Sequence, residues 1–285
     1  MPRNLLSPSA LGIASHSSHL AAPDGPSAVL SARRAAATGA ARQVGCKCPA
    51  TGLRRLGVMT SSNSSDATVH HYTREMAMIH QVFRRESRLL AELVQEVRPG
   101  DTGRSRILAE HWRQYSVGLH AHHTGEDEML WPVLLPHLDL DAEQVLAMEA
   151  QHHELSDGIA EVRGLVDRWE SRALAEDRDE LAAALHRHHR QLCAHLDEEE
   201  REVMPLVALH VNEKQWQAVG ERGLAETPKN RLMIALGAIV EDSSPEERRE
   251  FFARLPLPAR VLWRLFGQRQ YRRETDRIRG RRTTA

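Results

Sequence analysis

Residues 122–132 read HHTGEDEMLWP, and residues 195–205 read HLDEEEREVMP. Each stretch sets a histidine, a glutamate four residues on and a proline six after that: His122, Glu126 and Pro132, then His195, Glu199 and Pro205. Residues four apart on a helix lie one turn above each other on the same face, so an imidazole and a carboxylate spaced this way can aim at one point. The echo continues upstream, with His80 lying 42 residues before His122 and His152 lying 43 before His195. The chain therefore reads as two copies of one helical hairpin, with His on its first helix and His-x-x-x-Glu on its second.

The surrounding pattern predicts four long helices. Met76, Ile79, Phe83, Leu90, Leu93 and Val97 recur at helical spacing with His80 on their stripe, which predicts a first helix over 66–97, ended by Pro99-Gly100. Leu108, Trp112, Tyr115, Leu119, His122, Glu126 and Met129 predict a second over 102–130, closed by Pro132 and Pro136. Asp141 with Gln144 has capping-box spacing before a third helix to Trp169, with Val145, Met148, His152, Leu155, Ile159, Val162 and Val166 on one face. Leu181, Leu185, His188, Leu192, His195, Glu199 and Leu206 mark a fourth over 179–210. The predicted fold is all-α, an antiparallel four-helix bundle whose core receives four histidines and two glutamates, as metal sites in bundles are built. Two carboxylates that bridge and four imidazoles that cap suit a pair of transition ions, iron before zinc.

At these residues the sequence resembles the hemerythrin-like HHE cation-binding family over about residues 70–210. The family pattern His … His-x-x-x-Glu … His … His-x-x-x-Glu is met at His80, His122, Glu126, His152, His195 and Glu199, and the flanks agree at Leu130-Trp131-Pro132 and Met204-Pro205. The resemblance implies a non-haem centre of two iron ions with an oxo or hydroxo bridge, handling dioxygen, peroxide or nitric oxide in redox defence or sensing. Pseudo-symmetry would give one ion to His80 and His122 and the other to His152 and His195, with Glu126 and Glu199 bridging. Oxidoreductase or peroxide-consuming turnover is one expectation; reversible oxygen binding, or iron buffering without turnover, is the alternative. Oxygen-carrying hemerythrins have a further histidine one turn after the third-helix ligand, a place held here by Ser156. Its absence is expected to leave that ion more open.

Other histidines and acids receive blander readings. His111 and His188 share inner faces and could support ligands, while His70, His71, His120, His123, His153, His186 and His189 are expected on outer faces. Asp127, Glu198, Glu200 and Glu202 differ in helical phase from the bridging pair and are read as a solvated face, and Cys193 as packing.

Composition bounds the rest. The 285-residue chain is 41% hydrophobic with a formal net charge of −1, and it has no apolar run long enough to span a membrane. Residues 1–65 carry seven basic side chains against Asp24, and residues 260–285 carry nine arginines against Glu274 and Asp276. An acidic middle between basic ends argues against sequence-independent nucleic-acid binding by the bundle. Three cysteines, Cys46, Cys48 and Cys193, lack framework spacing and fit a reducing cytoplasm.

Three segments result: a disordered extension over 1–65, the metal-binding domain over 66–212 and a helical extension over 213–285. Residues 1–58, rich in Ala, Ser, Gly and Arg, are compatible with a transit peptide or with translation starting at Met59. In the C-terminal part Trp216 starts a short helical piece, 228–240 reads as an apolar helix, and Ser244-Pro245-Glu246-Glu247 is a helix start. The last helix, over 259–279, is expected to pack Val261, Leu262, Leu265 and Phe266 on the bundle or to meet an acidic partner with its arginines.

Overall fold

Four long helices follow from the four apolar stripes. The computed structural model describes residues 64–138 and 142–281, with side chains from residue 71 onward. The chain divides into two units, Met1–Val58 and Met59–Ala285, and the described residues belong to the second. The readings of residues 1–58, of the start at Met59 and of the Asp141 cap lie outside the described residues. Among the described residues the protein is all-helical, with no strand.

Helix α1 spans Ser64–Gln95 and α2 spans Thr102–Gly125. Between them Gly100 takes φ +83°, which a side chain would resist, and Asp101 caps α2 by accepting from the Arg104 amide at 2.9 Å. A π-helical turn, Glu126–Leu130, continues α2 into the short α3, Trp131–Leu134. Helix α4 spans Ala142–Glu170, and α5 spans Ala175–Glu198. A second π-helical turn, Glu199–Val203, leads α5 into α6, Met204–His210. The Gly100 amide donates to the Ala173 carbonyl at 2.9 Å, so the α1–α2 and α4–α5 turns meet at one end.

Helix α1 packs on α2 and α5, and α4 packs on α2 and α5, which closes a ring. Its interior is divided in three. One apolar cluster holds Phe83, Leu90, Trp112, Leu119, Leu155, Leu185, Leu192 and Trp169. Another holds Met76, Leu130, Trp131, Leu134, Met148, Val203, Met204 and Val207. His80 falls between Met76 and Phe83 along α1, and His152 between Met148 and Leu155 along α4, so the polar residues form a layer between two apolar ones.

The C-terminal part comprises α7, Glu213–Glu226, α8, Leu232–Val240, α9, Pro245–Arg254, α10, Leu257–Leu262, and α11, Gln268–Arg279, and it packs on this ring through α7, α8 and α11. Ser244 and Glu247 form the predicted capping box at the head of α9. A cluster of Met78, Leu236, Val240 and Trp263 joins α8 to α1. Tyr271 of α11 lies so close to Gly237 that a Cβ there would stand 2.2 Å from its ring, so only glycine admits this approach.

The packing face of the last segment corrects the sequence reading. Val261, Leu262, Leu265 and Phe266 are exposed, by 46, 48, 64 and 63%. The buried residues are Trp263, Gly267 and Ile278, and Tyr271 is half-buried with them. The inward stripe combines large, small and polar residues, so a search for Val, Leu and Phe finds the opposite side. Two arginines of the segment reach carboxylates of the chain itself: Arg277 to Glu110 at 3.0 Å, and Arg279 to Glu241 at 2.6 Å.

Candidate metal centre

Two opposed glutamates form the middle of the polar layer. Glu126 and Glu199 are both 0% exposed. His122 Nε2 lies 3.3 Å from Glu126 Oε1, and His152 Nε2 lies 3.6 Å from Glu126 Oε2. His80 Nε2 and His195 Nε2 lie 3.4 and 3.7 Å from Glu199 Oε2. Each carboxylate therefore touches one histidine of the pair His80–His122 and one of the pair His152–His195. The six residues predicted from sequence are brought together.

The donor set fits a cation. The four Nε2 atoms and all four carboxylate oxygens are buried, and none has a hydrogen-bond partner. Leaving so many polar atoms unpaired in a protein interior is costly unless something else binds them. The donor atoms of His80, His122, Glu126 and Glu199 lie within 4.8 Å of one another, as do those of His123, His152 and His195, and each group could hold a metal ion.

Electrostatics agree. Burial, and then the facing Glu199 carboxylate, push the Glu126 carboxyl well above its ordinary range, which is the repulsion a metal cation would relieve. Burial and the neighbouring imidazoles hold His122 well below its usual value and lower His195 to about 3. Both are neutral at physiological pH, the form that offers a lone pair to a metal.

Supporting hydrogen bonds fix which nitrogen faces inward. His80 Nδ1–H donates to Glu200 Oε1 at 2.8 Å, His152 Nδ1–H to Asp127 Oδ1 at 2.7 Å, and His195 Nδ1–H to Gln151 Oε1 at 2.9 Å. A carboxylate or amide oxygen can only accept there, so Nδ1 carries a proton in each ring and Nε2 is the nitrogen that faces the glutamates. Trp131 Nε1–H shares Asp127 Oδ1 at 2.8 Å, and Gln151 in turn donates to Glu198 at 3.1 Å. Burial raises the Glu200 carboxyl, but its bonds from His80 and Arg84 outweigh this and leave it below its ordinary range.

Asp127, Glu200 and Glu198 are thus not a solvated face. Of the four acids read that way, Glu202 fits best, pairing with its neighbour Arg201 at 2.7 Å. Asp127→Ala or Glu200→Ala should still saturate with the native number of ions, but with an affinity lower by about 10–100-fold. Competition with a chelator of known affinity measures this, and native affinity in both variants would remove the supporting role.

The π-helical turns explain the repeated proline. Each begins at the glutamate of its repeat, with the Trp131 amide bonded to Glu126 O and the Met204 amide to Glu199 O, one residue further back than in an α-helix. Pro132 and Pro205 follow immediately and have no N–H to give to the α-helical acceptor four residues earlier. The register slips by one residue there, and the residue after each glutamate turns towards a neighbouring helix. Pro132 therefore loosens the helix rather than closing it. Insertions of this type recur at functional sites.

Four further residues depart from expectation. His123 is only 5% exposed and lies within the cluster. His71 is buried beside Tyr72, with Glu213 at 3.5 Å from Nε2. His189 Nδ1 is 2.8 Å from Ser87 Oγ. Ser156 is exposed rather than part of the polar layer. His111 and His188 are bound elsewhere, His111 to Glu86 at 2.9 Å and His188 as acceptor of the Tyr115 hydroxyl at 2.7 Å, so neither supports a ligand directly. Cys193 is half-buried with its sulfur 3.6 Å from His189 Nδ1, in keeping with packing.

No helix among the described residues is long and apolar enough to cross a membrane. Residues 71–210 match the family of the hemerythrin HHE cation binding domain. Neither the curated proteins nor the solved structures give a match to the chain.

Proposed function

We propose, from the premise that the chain carries a hemerythrin HHE cation-binding domain over residues 71–210, that this domain is an antiparallel four-helix bundle holding two iron ions and acting on a small oxidant in the cytoplasm. In this reading the domain occupies 66–212 and the segment 213–285 is an accessory extension. His80 and His122 would hold one ion, His152 and His195 the other, and Glu126 and Glu199 both. The observation that carries the reading is the set of eight buried, unpartnered donor atoms arranged about two carboxylates.

The ions would supply electrons and a Lewis-acidic centre. The protein's own part is to keep His122 and His195 neutral, to aim the Nε2 atoms, and to exclude water. Asp127, Glu200 and Gln151 do the aiming. Phe83 stacks against His122 with ring centroids 5.0 Å apart, and Trp131 against His152 at 6.1 Å, which closes the cluster with apolar surface on two sides. Because the six residues are buried or nearly so, the ligand class that suits the site is a diatomic or peroxide rather than an organic substrate.

Anaerobic loading with ferrous iron, followed by metal analysis and an optical spectrum before and after oxygen, tests this. The expected result is two irons per chain and a spectrum that changes on oxidation and does not return on removing oxygen. One iron or none per chain would overturn the di-iron reading. Two irons that are taken up and released without any optical response to oxygen, peroxide or nitric oxide would replace it with buffering.

A further inference from the structure

We infer that His123 is a third imidazole ligand for the ion proposed at His152 and His195, so that the two ions are bound unequally. This rests on the metal reading above and extends it to a residue outside the repeated pattern. His123 is 5% exposed, and its Nε2 is buried without a hydrogen-bond partner, like the four Nε2 atoms already described. Its donor atom lies within 4.8 Å of those of His152 and His195. A histidine that serves only as filler has no need of an orphaned nitrogen in this layer, since phenylalanine fills similar space without that cost.

Ring geometry says how the ligand is presented. His123 stacks on His152 with centroids 4.2 Å apart and planes 9° from parallel, and it meets His195 edge-on at 5.2 Å and 82°. One ion cannot lie in the planes of two parallel stacked rings. Ligation therefore turns the His123 ring about its Cβ–Cγ bond, a torsion that for histidine is broad and inexpensive. Neighbouring His122 belongs to the other ion, so adjacent residues of α2 would serve opposite sides of the cluster. The ion at His80 and His122 would be left with one protein ligand fewer and so more open to a small ligand.

The test is cobalt titration of the native chain and of His123→Phe, which keeps the stacked ring and its burial. Native protein is expected to take two cobalt ions. The variant should keep one site unchanged and bind the second at least 100-fold more weakly, beyond the roughly 10–100-fold that loss of a supporting residue costs. The visible absorption of the weakened site should change with its coordination number. The metal-free variant should melt no lower than the metal-free native chain, because phenylalanine keeps the ring and removes the buried, unpaired Nε2. Two sites of native affinity and native spectrum in the variant would overturn the inference and leave the di-iron reading standing. Equal weakening with a lowered metal-free melt would also overturn it, as loss of packing. A native chain that binds no cobalt or iron would overturn both.

Discussion

Glu126→Leu protein stripped of metal is expected to melt higher than the native metal-free chain, yet to lose at least one of the two irons. Leucine has nearly the volume of glutamate and brings no charge to a position that is 0% exposed. In the native metal-free chain this carboxyl faces Glu199, with both of its oxygens unpartnered. A buried polar group left without a partner costs about 1–3 kcal/mol, and leucine removes that cost. The same substitution removes the carboxylate that lies against both His122 and His152, so each proposed ion would lose a donor. Glu199→Leu should behave alike, because Glu199 lies against His80 and His195. Calorimetry in chelator and iron analysis after anaerobic loading give the two readouts. A variant that melts lower and still holds two irons would make Glu126 a structural residue.

Deletion of residues 257–285 should lower the stability of the metal-free protein by about 3–6 kcal/mol, taking about 1.5–3 kcal/mol for each large apolar side chain fully buried. Trp263 and Ile278, 8 and 5% exposed, are the two chiefly concerned. Arg104 would lose the carbonyls of Arg277 and Ile278, and Glu241 would lose Arg279 and the Tyr271 hydroxyl. Met78, Leu236 and Val240 would become exposed. Iron stoichiometry should not change, since every donor atom of the cluster lies between His80 and Glu199. Denaturant melts of the full and shortened chains settle the first part and metal analysis the second. An unchanged melt would mean that the segment contributes nothing to the fold, and lost iron would mean that it shapes the site.

The sequence made the ring of helices and the six central residues legible because both depend on spacing. Apolar residues at helical intervals find α1, α2, α4 and α5, and the internal repeat picks four histidines from seventeen. The supporting acids were not legible by the same rule. Helical phase places Asp127 and Glu200 away from Glu126 and Glu199, but the π-helical turns change the phase at that step. The signal was present in the prolines, six residues beyond each glutamate, and their consequence for the backbone register is what had to be drawn. His123 was hidden for a related reason. As a neighbour of His122 it should point elsewhere, and in a ring of helices a different direction is another part of the interior. The packing face of the last segment was hidden because Gly267 and Tyr271 belong to it, and neither marks an apolar stripe.

The hydrogen bonds to His80 and His152 cross between the two halves of the chain. Asp127, in the first repeat, steadies His152 in the second, and Glu200, in the second, steadies His80 in the first. Neither hairpin holds both of its own imidazoles, so a half-length fragment would lack the bond that aligns the histidine of its first helix. Residue i of one unit holding j of the other, while i of the other holds j of the first, is the contact rule of a symmetric homodimer. Two identical chains of one hairpin each, facing across a two-fold axis, would satisfy the same crossed bonds and enclose the same layer of histidines and glutamates. The covalent link between the repeats then makes permanent an assembly that separate copies could form only above their dissociation constant.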